Sequence, residues 1–81
     1  MQPSTLVPES ISEQLALTVN GAVRTVPAGF TVADLLASLK LDARTVVIEH
    51  NGTILRDRSS FASLQLSAQD LLEIVHFVGG G

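Results

Sequence analysis

This sequence predicts an α+β domain: a mixed sheet of four to five strands covered on one face by one helix. Three observations carry that expectation. Two Asn-Gly pairs, Asn20-Gly21 and Asn51-Gly52, each sit between alternating or β-branched runs. One segment, Thr31 to Lys40, carries apolar residues at helical spacing. A final apolar run, Leu71 to Val78, leads straight into Gly79-Gly80-Gly81.

Residues 1–14 hold two of the three prolines, three serines and two glutamates without periodicity, and read as a flexible N-terminal extension. Pattern begins at Leu15. In Leu15-Ala16-Leu17-Thr18-Val19, large apolar residues alternate with small or polar ones, the period of a half-buried strand. Asn20-Gly21 is a strong signal for a two-residue hairpin turn, since both residues tolerate positive φ. Ala22 to Val26 is the returning strand, closed by Pro27 and Gly29.

Thr31 followed by Asp34 reads as an N-cap with a capping-box acid. Val32, Leu35, Leu36 and Leu39 then fall at i, i+3, i+4 and i+7, one apolar face of a helix of about two and a half turns. Asp34, Ser38 and Lys40 are assigned to the opposite face, and Leu41 to Thr45 to the exit loop. Val46-Val47-Ile48-Glu49-His50 is rich in β-branched residues and predicts a third strand. Asn51-Gly52 turns the chain into a short fourth strand, Thr53-Ile54-Leu55. Arg56 to Ser63 is polar and irregular, with Phe61 and Leu64 pinning it to the core. Leu71 to Val78 is the last strand. The domain proper therefore spans 15–78, and 79–81 form a flexible reactive tail. The order of elements, with a long crossover that lets the first and last segments pair in the middle, is that of the ubiquitin-like β-grasp fold.

Composition narrows the function classes. The chain has 81 residues, enough for one domain, and 46% of them are hydrophobic, which suits a packed core and not a disordered chain. The five basic residues are scattered against eight acidic ones, and three Phe are the only aromatics. Nucleic-acid binding needs concentrated positive charge or stacking platforms, so it is not expected. No cysteine is present, which removes disulfides, thiolate ligands and a cysteine nucleophile. His50 and His76 lack metal-ligand spacing, so no metal site is expected. No apolar run reaches the length of a membrane span, and the N-terminus has no secretory character, so a cytoplasmic protein is the expectation. An enzyme is not expected: no acid–base pair, nucleophile elbow or phosphate loop is legible, and no helix follows the glycines to make them one.

The glycine tail is the candidate chemical group. Glycine has no Cβ, so a tail of this kind passes a narrow channel and leaves its terminal carbonyl open to attack. A carboxylate is a poor electrophile. Adenylation by ATP converts it to a mixed anhydride, from which a sulfur nucleophile displaces AMP and leaves a thiocarboxylate. Gly81 carries the reactive carboxylate in this reading, with Gly80 and Gly79 giving it access. The plain alternative is an idle chain end.

Several stretches together resemble the ThiS-type sulfur carriers of thiamine biosynthesis. They are Leu17-Thr18-Val19-Asn20-Gly21, Val26-Pro27-Ala28-Gly29 with Thr31 to Leu36, Glu49-His50-Asn51-Gly52, and Glu73 to Gly81. The resemblance covers residues 15–81, and the terminal segment is its most specific part. It implies adenylation by an E1-like enzyme of the ThiF type, a thiocarboxylate at Gly81, and sulfur delivery to a thiazole synthase of the ThiG type. It also implies a separate sulfur-donor enzyme and no stably bound cofactor, ATP being used by the activating partner. Two features depart from the family pattern: Ser67-Ala68-Gln69-Asp70 stands where a Gly-Asp turn is usual, and the N-terminal extension has no counterpart. A carrier for another pathway, such as molybdopterin synthesis, and a non-covalent ubiquitin-like interaction module are the competing readings.

Other residues are read more simply. On the last strand Leu72, Ile74 and His76 share one face, Glu73, Val75 and Phe77 the other. With Leu72 and Ile74 toward the helix, Val75, Phe77 and Val78 form either a docking patch for the activating enzyme or ordinary sheet cover. His76 is assigned a packing or surface role, Asp34 a capping role, and Asn20 and Asn51 a turn-forming role. Arg56-Asp57-Arg58 is read as a solvated loop.

Overall fold

In a computed structural model, which describes residues 13–77, the strands and the helix follow one another in the expected order. Strands β1 (Gln14–Val19) and β2 (Ala22–Pro27) form the first hairpin. Helix α1 (Val32–Ser38) follows, then β3 (Val46–His50), the short β4 (Thr53–Ile54) and β5 (Leu71–His76). The five strands form one mixed sheet in the order β2-β1-β5-β3-β4. The first and last strands lie side by side and parallel, while all other neighbours are antiparallel.

Both Asn-Gly pairs turn as expected. Asn20 and Gly21 have φ of 50° and 83°, Asn51 and Gly52 51° and 88°. Positive φ at both central residues is the pattern whose twist matches paired strands.

The helix begins with a complete capping box: Thr31 Oγ1 accepts from the Asp34 N–H, and Asp34 accepts from the Thr31 N–H. Val32 and Ala33, whose N–H groups would otherwise lack partners, donate to the Leu64 and Phe61 carbonyls of the crossing segment. The helix is shorter than its apolar spacing predicts, seven residues or about two turns. Its end explains the difference. The Lys40 N–H reaches the Ala37 carbonyl and the Leu41 N–H the Leu36 carbonyl, with Lys40 at φ 60°. That is a Schellman closure. Lys40 therefore occupies the left-handed position beyond the helix, not its polar face, and Leu39 packs on the core from the cap.

Val32, Leu35 and Leu36 of the helix meet Leu17, Val19, Val26, Val46, Ile48, Leu72 and Ile74 of the sheet. Phe61 and Leu66 close the core from the crossing segment, while Leu64 packs at its margin. That segment is more regular than its polarity suggests, although Arg56, Asp57 and Arg58 are solvent-exposed as expected. A 3-10 turn spans Arg58–Ser60, capped by Asp57. The Arg58 guanidinium donates to the carbonyls of Ala43 (2.9 Å) and Val46 (3.1 Å), tying the loop to the entrance of β3. The exit loop likewise holds a 3-10 turn at Ala43–Thr45.

Candidate functional site: the strand that carries the tail

β5 owes its form to alternation. Leu72 and Ile74 are buried under the helix, whereas Leu71, Glu73, Val75 and Phe77 face outward. The strand lies in the middle of the sheet, but its two sides are held differently. Toward β3 the pairing runs the full length, from His50↔Leu72 to Val46↔His76, and continues where the Phe77 N–H donates to the Thr45 carbonyl at 2.9 Å. Toward β1 it covers only Thr18↔Leu71 and Val19↔Leu72. β1 runs out just as β5 sets off toward the tail.

The outer face around the strand's end is apolar. Val75 is 59% exposed and Phe77 44%, and Val75 lies directly opposite Val47, 38% exposed. One step back along the strand, Glu73 faces Glu49, with Ile54 beyond Glu49. So the structure places Val75 and Phe77 on the open side of the sheet, next to the point where the tail departs, and brings Val47 to them. His76 lies on the other face and meets Thr45, Nε2 to Oγ1 at 3.1 Å. Val78, Gly79, Gly80 and Gly81, like the extension before residue 13, lie outside the described residues.

The two asparagines do more than turn the chain. The Asn20 N–H donates to the Leu72 carbonyl, and its side chain brackets the Ile74 peptide. Ile74 N–H to Oδ1 is 2.7 Å, and Nδ2 to the Ile74 carbonyl is 3.2 Å. Asn51 treats the start of the strand alike: its N–H donates to the Leu71 carbonyl and its Oδ1 accepts from the Leu71 N–H, each at 2.8 Å.

A polar cluster at that end escaped sequence reading. Asp70 is buried and takes hydrogen bonds from His50 Nε2 (2.9 Å), Asn51 Nδ2 (3.1 Å) and the Ser67 N–H (2.8 Å). Burial alone pushes its carboxyl up, but these bonds and the imidazole's charge outweigh it and hold the group below the usual carboxylate range. The sequence marked this place only as a departure from a Gly-Asp turn. The departure has a conformational consequence: Gln69 holds φ 69°, a left-handed position that a glycine adopts without strain.

Among the described residues there is no cavity for a small ligand, and no group of three side chains is placed to bind a metal. No described helix is long and apolar enough to cross a membrane.

A single helix across a five-stranded mixed sheet, with parallel first and last strands at its centre, defines a ubiquitin-like β-grasp protein. Comparison with known proteins is more specific: the ThiS family pattern matches residues 17–81, and the chain belongs to that family. The sulfur carrier protein ThiS of Bacillus subtilis (strain 168) is 43% identical over 51 residues, 63% of this chain and 76% of that protein. A thiazole synthase of Paramagnetospirillum magneticum is 42% identical over 67 residues, 83% of this chain. This chain spans only 20% of that synthase's length. The crystal structure of a thiamine biosynthesis protein (ThiS) from Geobacter metallireducens is 37% identical and superposes with a TM-score of 0.70. It covers 83% of this chain and 100% of its own.

Proposed function

We propose that this chain is a sulfur carrier of thiamine biosynthesis whose working group is the Gly81 carboxylate. The observation that carries the proposal is that the family match runs through all three glycines. The strand feeding them lies at the centre of the sheet.

In the proposed cycle a ThiF-type, E1-like partner supplies the catalysis and this chain is its substrate. A Gly81 carboxylate oxygen attacks the α-phosphorus of ATP, pyrophosphate leaves, and an acyl adenylate forms. Sulfide-level sulfur from a donor enzyme attacks the carbonyl carbon; the carbon–sulfur bond forms, the carbon–oxygen bond breaks, and AMP departs. The thiocarboxylate then hands its sulfur to a ThiG-type thiazole synthase. Two relatives named thiazole synthase carry a stretch similar to 83% and 78% of this chain, which favours the thiazole pathway over molybdopterin synthesis. Val47, Val75 and Phe77 form the docking patch for the activating partner, with Val78 leading from it to the tail.

Intact-mass analysis after incubation with ATP, a ThiF-type enzyme and a sulfur donor tests this reading. The expected product has one oxygen replaced by sulfur at the C-terminus. An unchanged mass, under conditions where the Bacillus carrier reacts, refutes it. Deleting Gly80 and Gly81 separates a carrier, which loses all function, from a non-covalent module, which keeps it.

A further inference from the structure

We infer that Asn20 is a positioning residue for the tail, acting through the backbone of Ile74. The hydrogen bonds of Phe77 to Thr45 and of Asn51 to Leu71 show that odd-numbered residues of β5 bond toward β3. In an antiparallel pair the intervening residues then point their N–H and C=O groups the other way, toward β1. Leu72, Ile74 and His76 are those residues. The Asn20 backbone serves Leu72, and β1 has no further strand residue to offer Ile74.

The Asn20 side chain supplies what is missing. A carboxamide carries one acceptor and donors spaced like those of a peptide group, and here it bonds both the N–H and the C=O of Ile74. It does so across 54 positions of sequence, from a residue already held at φ 50° by the turn. Beyond it, the β1-side groups of His76 have no backbone partner among the described residues. Among the described residues Asn20 is thus the last hold on that side of β5, and seven residues follow Ile74 in the sequence. Asn51 holds Leu71 with one backbone and one side-chain bond, at a point where both flanking strands already hold the strand.

This inference rests on the tail chemistry proposed above, and the difference between the two asparagines tests it. Asn20→Gly and Asn51→Gly both keep a turn that accepts positive φ. The first loses both bonds to Ile74, whereas the second keeps its backbone bond to the Leu71 carbonyl and loses the side-chain bonds to the Leu71 N–H and Asp70. The experiment measures ATP-dependent thiocarboxylation of each full-length variant, well below its unfolding midpoint, together with amide hydrogen exchange in the free chain. Asn20→Gly is expected to lower kcat on the order of tenfold, with KM for the carrier little changed, because misplacing a reacting group costs rate. Its Val75, His76 and Phe77 amides are expected to exchange faster. Asn51→Gly is expected to keep wild-type kinetics and wild-type exchange at those three amides.

Equal kinetics for Asn20→Gly and wild type, or equal losses in both variants, overturns the inference. Should Asn20→Gly fail to fold, Asn20→Asp keeps the turn and the acceptor for the Ile74 N–H but replaces the donor to the Ile74 carbonyl with a second, charged acceptor, and the same outcomes apply. Should the wild-type chain itself not be thiolated, the carrier reading fails, and exchange at residues 75–77 still decides the role of Asn20.

Discussion

The two Asn-Gly turns have nearly the same backbone and bracket the same strand, yet they work in different surroundings. At Asn51 the bracket sits inside a network: Asp70, His50, Ser67 and both neighbouring strands hold the start of β5. At Asn20 the side chain works alone on its side among the described residues, and the strand beyond it is held from the β3 side, by the pairing with Val47 and Val46 and by Thr45. One end of β5 is built as foundation and the other as a launching point. A carrier that works at its tail, as proposed above, would need a rigid base for the strand that leads there.

Substitutions along β5 sharpen that contrast. The largest stability effect is expected at Leu72, 0% exposed between helix and sheet. Leu72→Ala should cost about 2–5 kcal/mol through lost transfer energy and a residual cavity. Val75→Ala, on the open face of the same strand, should shift stability by less than about 0.5 kcal/mol while weakening association with the activating enzyme. Urea unfolding and a binding titration measure the pair. Equal stability losses in the two variants break the division into an inner face for folding and an outer face for docking.

A smaller loss is expected at the base. Asp70→Ala leaves Asn51 and the Ser67 N–H without their acceptor and should cost about 1–3 kcal/mol. The effect has a direction in pH. The folded carboxyl titrates below its ordinary value, so its contribution is complete above the unfolded pKa of about 4. It is lost as pH falls through the lower folded value. Chemical denaturation at a series of pH values should therefore show wild type and variant converging in acid, with the gap complete above about pH 4. A gap independent of pH removes the charge from the account.

One further small effect is a gain. Gln69 pays steric strain at φ 69° in the turn before β5. Gln69→Gly removes the Cβ clash, worth roughly 1–2 kcal/mol, and gives part of it back as unfolded-chain entropy. The net expectation is a stabilisation of about 0.5 kcal/mol, read as a raised urea midpoint with unchanged thiocarboxylation. A loss of stability instead assigns Gln69 contacts that offset its strain.

Much of this architecture was legible in order of residues, and the limits of legibility are physical. Turns and caps depend on groups a few positions apart, so Asn20-Gly21, Asn51-Gly52 and the Thr31–Asp34 box could be read directly. Alternation revealed which face of β5 is buried, since period 2 is a property of the strand itself. Apolar spacing overran the helix because Leu39 packs on the core from a cap as well as from a helical turn. Arg58 is exposed as its loop position suggests, but its hold on the entrance of β3 was not legible because the carbonyls it binds lie 12 and 15 positions earlier. Asp70 looked like a mere departure in a turn because His50 and Asn51 reach it across 20 and 19 positions.

By itself, then, the sequence determined the elements, their order, the apolar face of each and the glycine ending, all set by local sterics and periodicity. Only the tertiary structure decided that β1 stops beside Leu72 while β5 runs on, because the register of two strands from opposite ends of the chain is set by the core they share. That offset leaves Ile74 for the Asn20 side chain to hold, and turns a hairpin residue into the last hold on the β1 side of β5 among the described residues.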